Sequence, residues 1–187
     1  MKKKLPVILT QDEENLLLKE FNTRYVTSHR NMLMIKLSLA TGLRISEVLA
    51  LRWEELEPEQ GAIKLRVLDG KGGKDRTLFM NPRFYEELLD YTDKHSQEHT
   101  GVVFRTTKGK PVKDAYIRKM MRQKAVRAGI EKILTYHSLR HTALTRLYDK
   151  TKDIRLVQEV AGHADISTTM IYTHISGADI REAMISL

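Results

Sequence analysis

The chain has 187 residues, a net charge of +8 and no cysteine. A domain of this length buries roughly 70% of the surface that its unfolded chain exposes, so one sizeable core is expected. The lack of cysteine excludes disulfides and thiolate metal sites, and no apolar run approaches the roughly 20 residues of a membrane span. Composition therefore predicts a soluble intracellular protein.

The positive charge is concentrated in one segment. Residues 101–155 contain fifteen Lys or Arg and four Asp or Glu, a net charge of +11, and the rest of the chain sums to −3. A basic surface of this kind favours a polyanionic partner such as nucleic acid.

Three helices are predicted in the first part of the chain, over about residues 10–21, 29–40 and 45–51. Thr10 and Glu13 have the spacing of a capping box, which opens the first helix. The second helix is densely apolar, as a central core helix is. Gly42 ends it, so Arg44 lies at a junction between two packed helices.

The middle of the chain predicts a β-hairpin. Residues 62–67 alternate apolar and basic side chains, and residues 76–80 can return antiparallel across a Gly-rich turn that carries Lys71 and Lys74. Further helices are predicted from Pro82 onward and over about residues 113–128, 139–148, 153–161 and 167–174, with a turn or two after 178. The fold class is α+β: a mainly helical single domain with a small antiparallel sheet.

The helix predicted over residues 113–128 has a basic outer side. Arg118 and Arg122 lie one turn apart on it. A single basic helix face is usually only solvated. Inside a segment of net charge +11, contact with DNA phosphates is the better hypothesis.

A spaced set of polar residues predicts phosphodiester chemistry. The transition state of phosphoryl transfer gathers charge on its equatorial oxygens, which planar, permanently charged guanidinium groups neutralise well. Arg44 and Arg140 are the candidates, with Arg140 near a predicted helix N-terminus. Either arginine alone is more typically a salt-bridge partner.

The attacking group must come from Ser, Thr or Tyr, because the chain has no cysteine. A phenolate leaves more readily than an alkoxide, so a tyrosyl phosphate ester can be resealed by a DNA hydroxyl. Tyr172 is singled out by its position nine residues after His163, although most tyrosines only pack. His137 is the candidate proton acceptor and His163 a second donor to the phosphate.

Lys71 and Lys74 compete to protonate the leaving 5′ oxygen, since a lysine on a mobile hairpin can reach into the DNA groove. Two other kinds of site are alternatives to this chemistry. His137 and His141 have zinc-ligand spacing, but no metalloprotease-type His-Glu pair is present and Arg140 would repel the cation. The glycines around Lys71 lack the spacing of a nucleotide-binding loop, so a hairpin turn explains them better.

The chain resembles the catalytic domain of the tyrosine recombinase, or phage integrase, family. The resemblance rests on three segments and on steps of three, twenty-three and nine residues from His137 through Arg140 and His163 to Tyr172. The segments are Thr41–Glu47, Gly70–Arg76 and His137–Thr142. It covers nearly the whole chain and implies an integrase-like catalytic fold.

Carried over to this sequence, the resemblance implies Arg44 and Arg140 on the scissile phosphate and Lys71 as the general acid. It implies His137 as the acid and base, His163 in a supporting role and Tyr172 as the nucleophile. Glu47 would support the arginines, and DNA contacts are expected from Lys74, Arg76, Arg118 and Arg122.

The resemblance implies a site-specific recombinase that forms a 3′-phosphotyrosyl intermediate without metal or cofactor. Its partner would be double-stranded DNA, with a tetramer on DNA, a monomer free in solution and no membrane attachment, in the cytoplasm at the nucleoid. Residues 1–187 would be the catalytic domain alone, without the preceding core-binding domain. Two alternatives stay open: a DNA-binding module without turnover, and a type IB topoisomerase.

Overall fold

The fold is a bundle of helices around a three-stranded sheet, in a computed structural model that describes residues 6–68, 75–163 and 168–175. The helices are α1 (Gln11–Lys19), α2 (Val26–Thr41), α3 (Ile45–Ala50), α4 (Pro82–Lys94), α5 (Asp114–Arg127), α6 (Tyr136–Thr151), α7 (Ile154–Ala161) and α8 (Ile171–Ile175). The strands are β1 (Leu56–Glu59), β2 (Ala62–Val67) and β3 (Arg76–Met80). The predicted α+β class is confirmed. In the described segments, no helix is both long and apolar enough to cross a membrane.

Local signals set several helix ends as predicted. The Thr10 side chain accepts from the backbone N–H of Glu13 at 3.2 Å, and the Glu13 carboxylate accepts from that of Thr10 at 2.8 Å. This capping box opens α1. Asn81 caps α4 in the same way, with its side chain accepting from the backbone N–H of Arg83 at 2.9 Å. Gly42 ends α2 with a φ of 70°.

The sheet is antiparallel, in the order β1-β2-β3. Strands β2 and β3 have the predicted bounds, and Leu65 faces Leu78 across the pair, both buried. Strand β1 was missed, because its sequence of Leu, Glu, Pro and Glu has low strand propensity and Pro58 is tolerated on an edge strand. Positive φ angles at Gln60 and Gly61, 45° and 82°, make the tight turn into β2.

Helix α2 lies at the centre of the core and holds α6 against it. Leu33, Met34 and Leu37 are fully buried. The Ser38 hydroxyl donates to the Tyr136 hydroxyl at 2.6 Å, and the latter donates to the Met34 carbonyl at 2.9 Å. Burial raises the pKa of Tyr136, so this phenol stays a hydrogen-bond donor. The chain of hydrogen bonds fixes the first turn of α6 relative to α2.

Helix α6 begins earlier than predicted, at Tyr136 rather than residue 139. Its start is capped locally, since the backbone N–H of Thr135 donates to the Ser138 hydroxyl at 3.2 Å. His137 therefore lies in the first turn, and Arg140 lies in the second turn rather than at the N-terminus. Helix α8 begins at Ile171, later than the predicted residue 167, and the turns predicted after 178 lie outside the described residues.

Candidate active site

Side chains from four separate stretches of the chain meet at one pocket of about 320 Å³. It includes five of the six residues that the sequence analysis assigned to catalysis. The lining residues are Arg44, His137, Arg140, His141, His163, Thr168, Ile171 and Tyr172. These five residues are thus neighbours in space, although their chemical roles stay predictions.

Arg140 is the most enclosed charge of the pocket, with 5% of its surface exposed. Its guanidinium donates to the Gly42 carbonyl at 2.8 Å and to the Ala161 carbonyl at 2.6 Å. These carbonyls end α2 and α7, so the arginine joins three helices. Burial, followed by the charge of Arg44, lowers the pKa of Arg140 to about 10, which still leaves it cationic at neutral pH.

Arg44 is more accessible, with 31% of its side chain exposed. It precedes α3 at the end of the sharp turn that Gly42 makes possible. Its guanidinium donates to the Glu47 carboxylate at 2.8 Å, and the Glu47 carboxylate also accepts from the Arg44 backbone N–H at 2.7 Å. Arg44 is therefore held from one side while its other side faces the pocket.

Arg76 lies behind the pocket and is enclosed by other parts of the protein. We expected a DNA contact, but only 7% of its side chain is exposed. Its guanidinium makes two 2.9 Å hydrogen bonds to Glu47 and one of 2.9 Å to the Val160 carbonyl. A buried carboxylate needs such a partner, and the strand β3 places Arg76 inward to provide it. Arg76 therefore joins β3, α3 and α7 behind the pocket.

Glu47 keeps its charge because of these two arginines. Burial by itself would raise its pKa, but the hydrogen bonds from Arg76 and from the Arg44 backbone outweigh burial and lower the pKa below the ordinary value.

The turn that follows α7 packs closely against Arg76. Gly162 ends α7 at a φ of 61°, and a Cβ there would lie 3.2 Å from the Arg76 side chain.

His163 is held in a defined tautomer by its neighbours. A guanidinium can only donate, so the 3.1 Å contact from Arg140 makes Nε2 of His163 an acceptor. Its Nδ1 then donates to the Thr169 hydroxyl at 3.0 Å. Burial and the charges of Arg140 and Arg44 lower the pKa of His163 to about 4. In this arrangement His163 is neutral at neutral pH, and its role as a second donor to the phosphate stays a prediction.

Two histidines of α6 lie one turn apart at the pocket. His137 is exposed, and partial desolvation together with the charges of Arg118 and Arg140 lowers its pKa. His141, which the sequence analysis considered only as a zinc ligand, lies with its Nδ1 3.1 Å from the Tyr172 hydroxyl. The spacing in α6 put His141 on the face of His137, which was the available signal. Within the described ranges, no group of three or more His, Asp or Glu could hold a metal ion.

Tyr172 is buried, with 1% of its surface exposed. Its ring packs against the apolar side chains of Leu144, Val157 and Ala161, while its hydroxyl points to His141. Burial raises the pKa of the Tyr172 phenol, and the charges of Arg140 and Arg44 oppose that rise. The two arginines therefore lie close enough to act on the phenolic oxygen electrostatically.

The basic side of α5 acts on the pocket, because partial desolvation and then the charge of Arg118 lower the pKa of His137. Arg118 and Arg122 are both exposed. Arg118 pairs with Asp114 through hydrogen bonds of 2.7 and 2.8 Å, and its charge acts on His137. Lys71 and Lys74, the two candidates for the acid on the hairpin, lie outside the described residues.

Comparison with known proteins gives one consistent family. The profile described as Phage integrase family matches residues 8–178. The chain is 37% identical over 185 residues to the tyrosine recombinase XerD of Staphylococcus aureus strain Mu50, and 36% identical to that of Staphylococcus saprophyticus. The alignment covers 96% of this chain and 62% of each relative. The chain thus spans less than two thirds of the length of these relatives.

Solved structures show the same similarity. XerH recombinase bound to its palindromic difH substrate, in a post-cleavage complex, has a TM-score of 0.83 at 30% identity, over 97% of this chain and 53% of XerH. XerA recombinase has a TM-score of 0.79 at 29% identity, over 100% and 65% of the two chains. The catalytic domain of bacteriophage HP1 integrase has a TM-score of 0.70 at 26% identity, over 97% and 94%.

Proposed function

Because this chain belongs to the phage integrase family, we propose that it is the catalytic domain of a site-specific DNA recombinase. Tyr172 is the nucleophile that cleaves one DNA strand and keeps its 3′ phosphate as a phosphotyrosyl ester. A DNA hydroxyl then attacks this ester and reseals the strand. The observation that carries the proposal is that Arg44, Arg140, His163 and Tyr172 line one pocket of about 320 Å³.

The proposed phosphate position lies between the two arginines. Arg44 is held by Glu47 on one side and has 31% of its side chain exposed, so it can bind a phosphate oxygen without breaking its ion pair with Glu47. Arg140 contributes a fixed charge from the buried side. A phosphodiester anion would also raise the pKa of His163, which burial and the arginines now lower, and would so favour a second donor to the phosphate.

The proposed cleavage forms the bond from the Tyr172 oxygen to phosphorus and breaks the bond from phosphorus to the 5′ oxygen. The phenolic proton leaves to a histidine of the pocket, with His137 as the assigned acid and base. Lys71 supplies the proton for the leaving 5′ oxygen. Resealing reverses these steps, and the reaction as proposed needs side chains of this chain and DNA alone.

The proposed partner is double-stranded DNA, bound as a tetramer by a protein that is monomeric when free. A groove of about 300 Å³ between β3, α6 and α7 supports such assembly. Its lining includes Phe79 and Leu156, which are 58% and 36% exposed although apolar. We expect the apolar residues Ile180, Met184 and Leu187, which lie outside the described ranges, to dock on a neighbouring protomer. The reaction would take place on DNA in the cytoplasm, at the nucleoid.

A covalent-adduct assay tests the proposed function. The protein is incubated with nicked duplexes that carry difH or inverted repeats from the flanking DNA, and the products are separated on a denaturing gel. An adduct is expected with the wild type and with the control Tyr85→Phe, and none with Tyr172→Phe. Absence of any adduct, or an adduct that persists in Tyr172→Phe, would overturn the proposal.

A further inference from the structure

The hydroxyl of Tyr172 has a hydrogen-bond partner that the sequence did not reveal. Nδ1 of His141 lies 3.1 Å from this oxygen, and the two rings are 5.8 Å apart at an angle of 48°. In the part of the chain that the structure describes, no other side chain is hydrogen-bonded to the Tyr172 hydroxyl. His137, the predicted proton acceptor, lies one turn earlier on α6.

We propose that His141 is the positioning residue of the nucleophile. Its Nδ1 accepts a hydrogen bond from the Tyr172 hydroxyl, and this bond aims the phenolic oxygen into the pocket beside Arg44 and Arg140. This inference rests on the proposed role of Tyr172 in strand cleavage. It adds a residue that acts through the tyrosine and not on the phosphate.

The direction of the hydrogen bond follows from the environment of both groups. Burial and the charges of His137 and Arg140 lower the pKa of His141 to about 4, so the ring is neutral and one nitrogen can accept. A phenol is a good donor. The proton of the neutral ring then lies on Nε2, which is the tautomer that leaves Nδ1 free to accept from Tyr172.

The hydrogen bond supplies an orientation that apolar packing does not. Leu144, Val157 and Ala161 hold the Tyr172 ring in place, but such contacts do not select the direction of the O–H bond. An in-line attack on phosphorus needs the phenolic lone pair aimed at the phosphate, and errors of about 1 Å in such positioning cost on the order of 100-fold in rate. Since α6 carries both His141 and Arg140, the same helix aligns nucleophile and phosphate.

Two matched variants separate positioning from general structure. His141→Asn keeps a polar atom close to the place of Nδ1, and His141→Gln moves its amide toward the place of Nε2. Single-turnover adduct formation is measured at saturating nicked duplex, together with the Kd for the same DNA. We expect His141→Gln to lower the cleavage rate by about tenfold or more, the equivalent of one lost hydrogen bond, at unchanged Kd. His141→Asn should recover most of that loss.

A substrate with sulfur at the bridging 5′ position distinguishes a defect in the nucleophile from a defect in protonating the leaving group. When sulfur replaces the bridging 5′ oxygen, the leaving group needs no proton, so a defect in acid catalysis is rescued. The His141→Gln defect should persist on this substrate. Rescue by sulfur, an unchanged or faster cleavage rate, or an equal loss in His141→Asn would overturn the proposal.

The hydrogen bond is tested without catalysis by ¹⁵N NMR of the histidine rings. Wild type should show the Nε2–H tautomer of His141, and its Nδ1 signal should move in Tyr172→Phe. If the wild type forms no adduct, the proposed function fails while this spectrum still decides the contact. An Nδ1 signal that is identical in Tyr172→Phe would overturn the positioning role whatever the adduct assay gives.

Discussion

Arg76 and Glu47 form a two-pronged ion pair behind the pocket, with both hydrogen bonds at 2.9 Å and 7% and 11% of the two side chains exposed. The same carboxylate holds Arg44, which faces the pocket. A residue of the sheet therefore fixes an arginine of the candidate active site through one shared glutamate. Because the pair is enclosed, removing Arg76 leaves the Glu47 carboxylate with Arg44 alone, and removing Glu47 leaves the Arg76 charge without this carboxylate.

Replacing Arg76 should therefore destabilise the fold. Arg76→Ala leaves Glu47 buried without its principal partner, and we expect the free energy of unfolding to fall by about 3 kcal/mol. The free energy of unfolding of Arg76→Lys should lie between those of Arg76→Ala and the wild type, because an ammonium group cannot form two parallel hydrogen bonds to a carboxylate. Urea unfolding measures both. As a control, Arg118→Ala removes an exposed ion pair with Asp114 and should leave the unfolding midpoint unchanged. Equal midpoints for Arg76→Ala and wild type would contradict the assigned role.

The free energy of unfolding should fall when the pH is lowered from about 6.5 to 4. His141 and His163 have pKa values lowered to about 4 in the fold, against 6.5 ordinarily. In this range the two histidines bind protons in the unfolded chain but not in the folded chain. The stability that is present above pH 6.5 is therefore lost as the pH falls toward 4. A fully buried histidine contributes at most about 1.4 kcal/mol per pH unit, and solvent screening makes the contribution of the more exposed His163 smaller.

Unfolding by guanidinium chloride, measured at pH 7.5 and at pH 5.0, checks this dependence. The wild type should lose more stability between these two values than the double variant His141→Asn, His163→Asn, in which neither group titrates. The comparison uses the difference between the two pH values within each protein, so a general loss of stability in the variant does not affect it. An equal difference in both proteins would show that the two histidines are not the source.

DNA binding should depend on salt through the basic side of α5. Each phosphate contact releases condensed counterions, so Arg118→Ala and Arg122→Ala should each reduce the slope of log K against log salt by about 1. Lys94→Ala is the control, because Lys94 ends α4 and does not line the pocket. Fluorescence anisotropy at several salt concentrations gives the slope. A slope that stays at the wild-type value in both arginine variants would rule out the predicted phosphate contacts.

Where the chain has a local signal, the sequence predicted the structure closely. The capping box at Thr10, the cap at Asn81 and the two alternating strands appear with the expected residues, because caps and strand alternation depend on near neighbours. Strand β1 was missed since its stability comes from pairing with β2 and not from its own residues. The start of α6 was misplaced by three residues, although Ser138 caps it locally, and its first turn is held in addition by Ser38 of α2.

The sequence by itself determined the class of fold, the family and the identity of most pocket residues, since residue type and spacing along the chain carry that information. Only the tertiary structure decided which way each side chain faces. Arg76 has the same charge as Arg44, yet β3 turns it inward to Glu47, whereas Arg44 stays at the pocket. His141 likewise became the partner of Tyr172 only when α6 and α8 packed together, because a hydrogen bond across 31 residues depends on where the two helices meet.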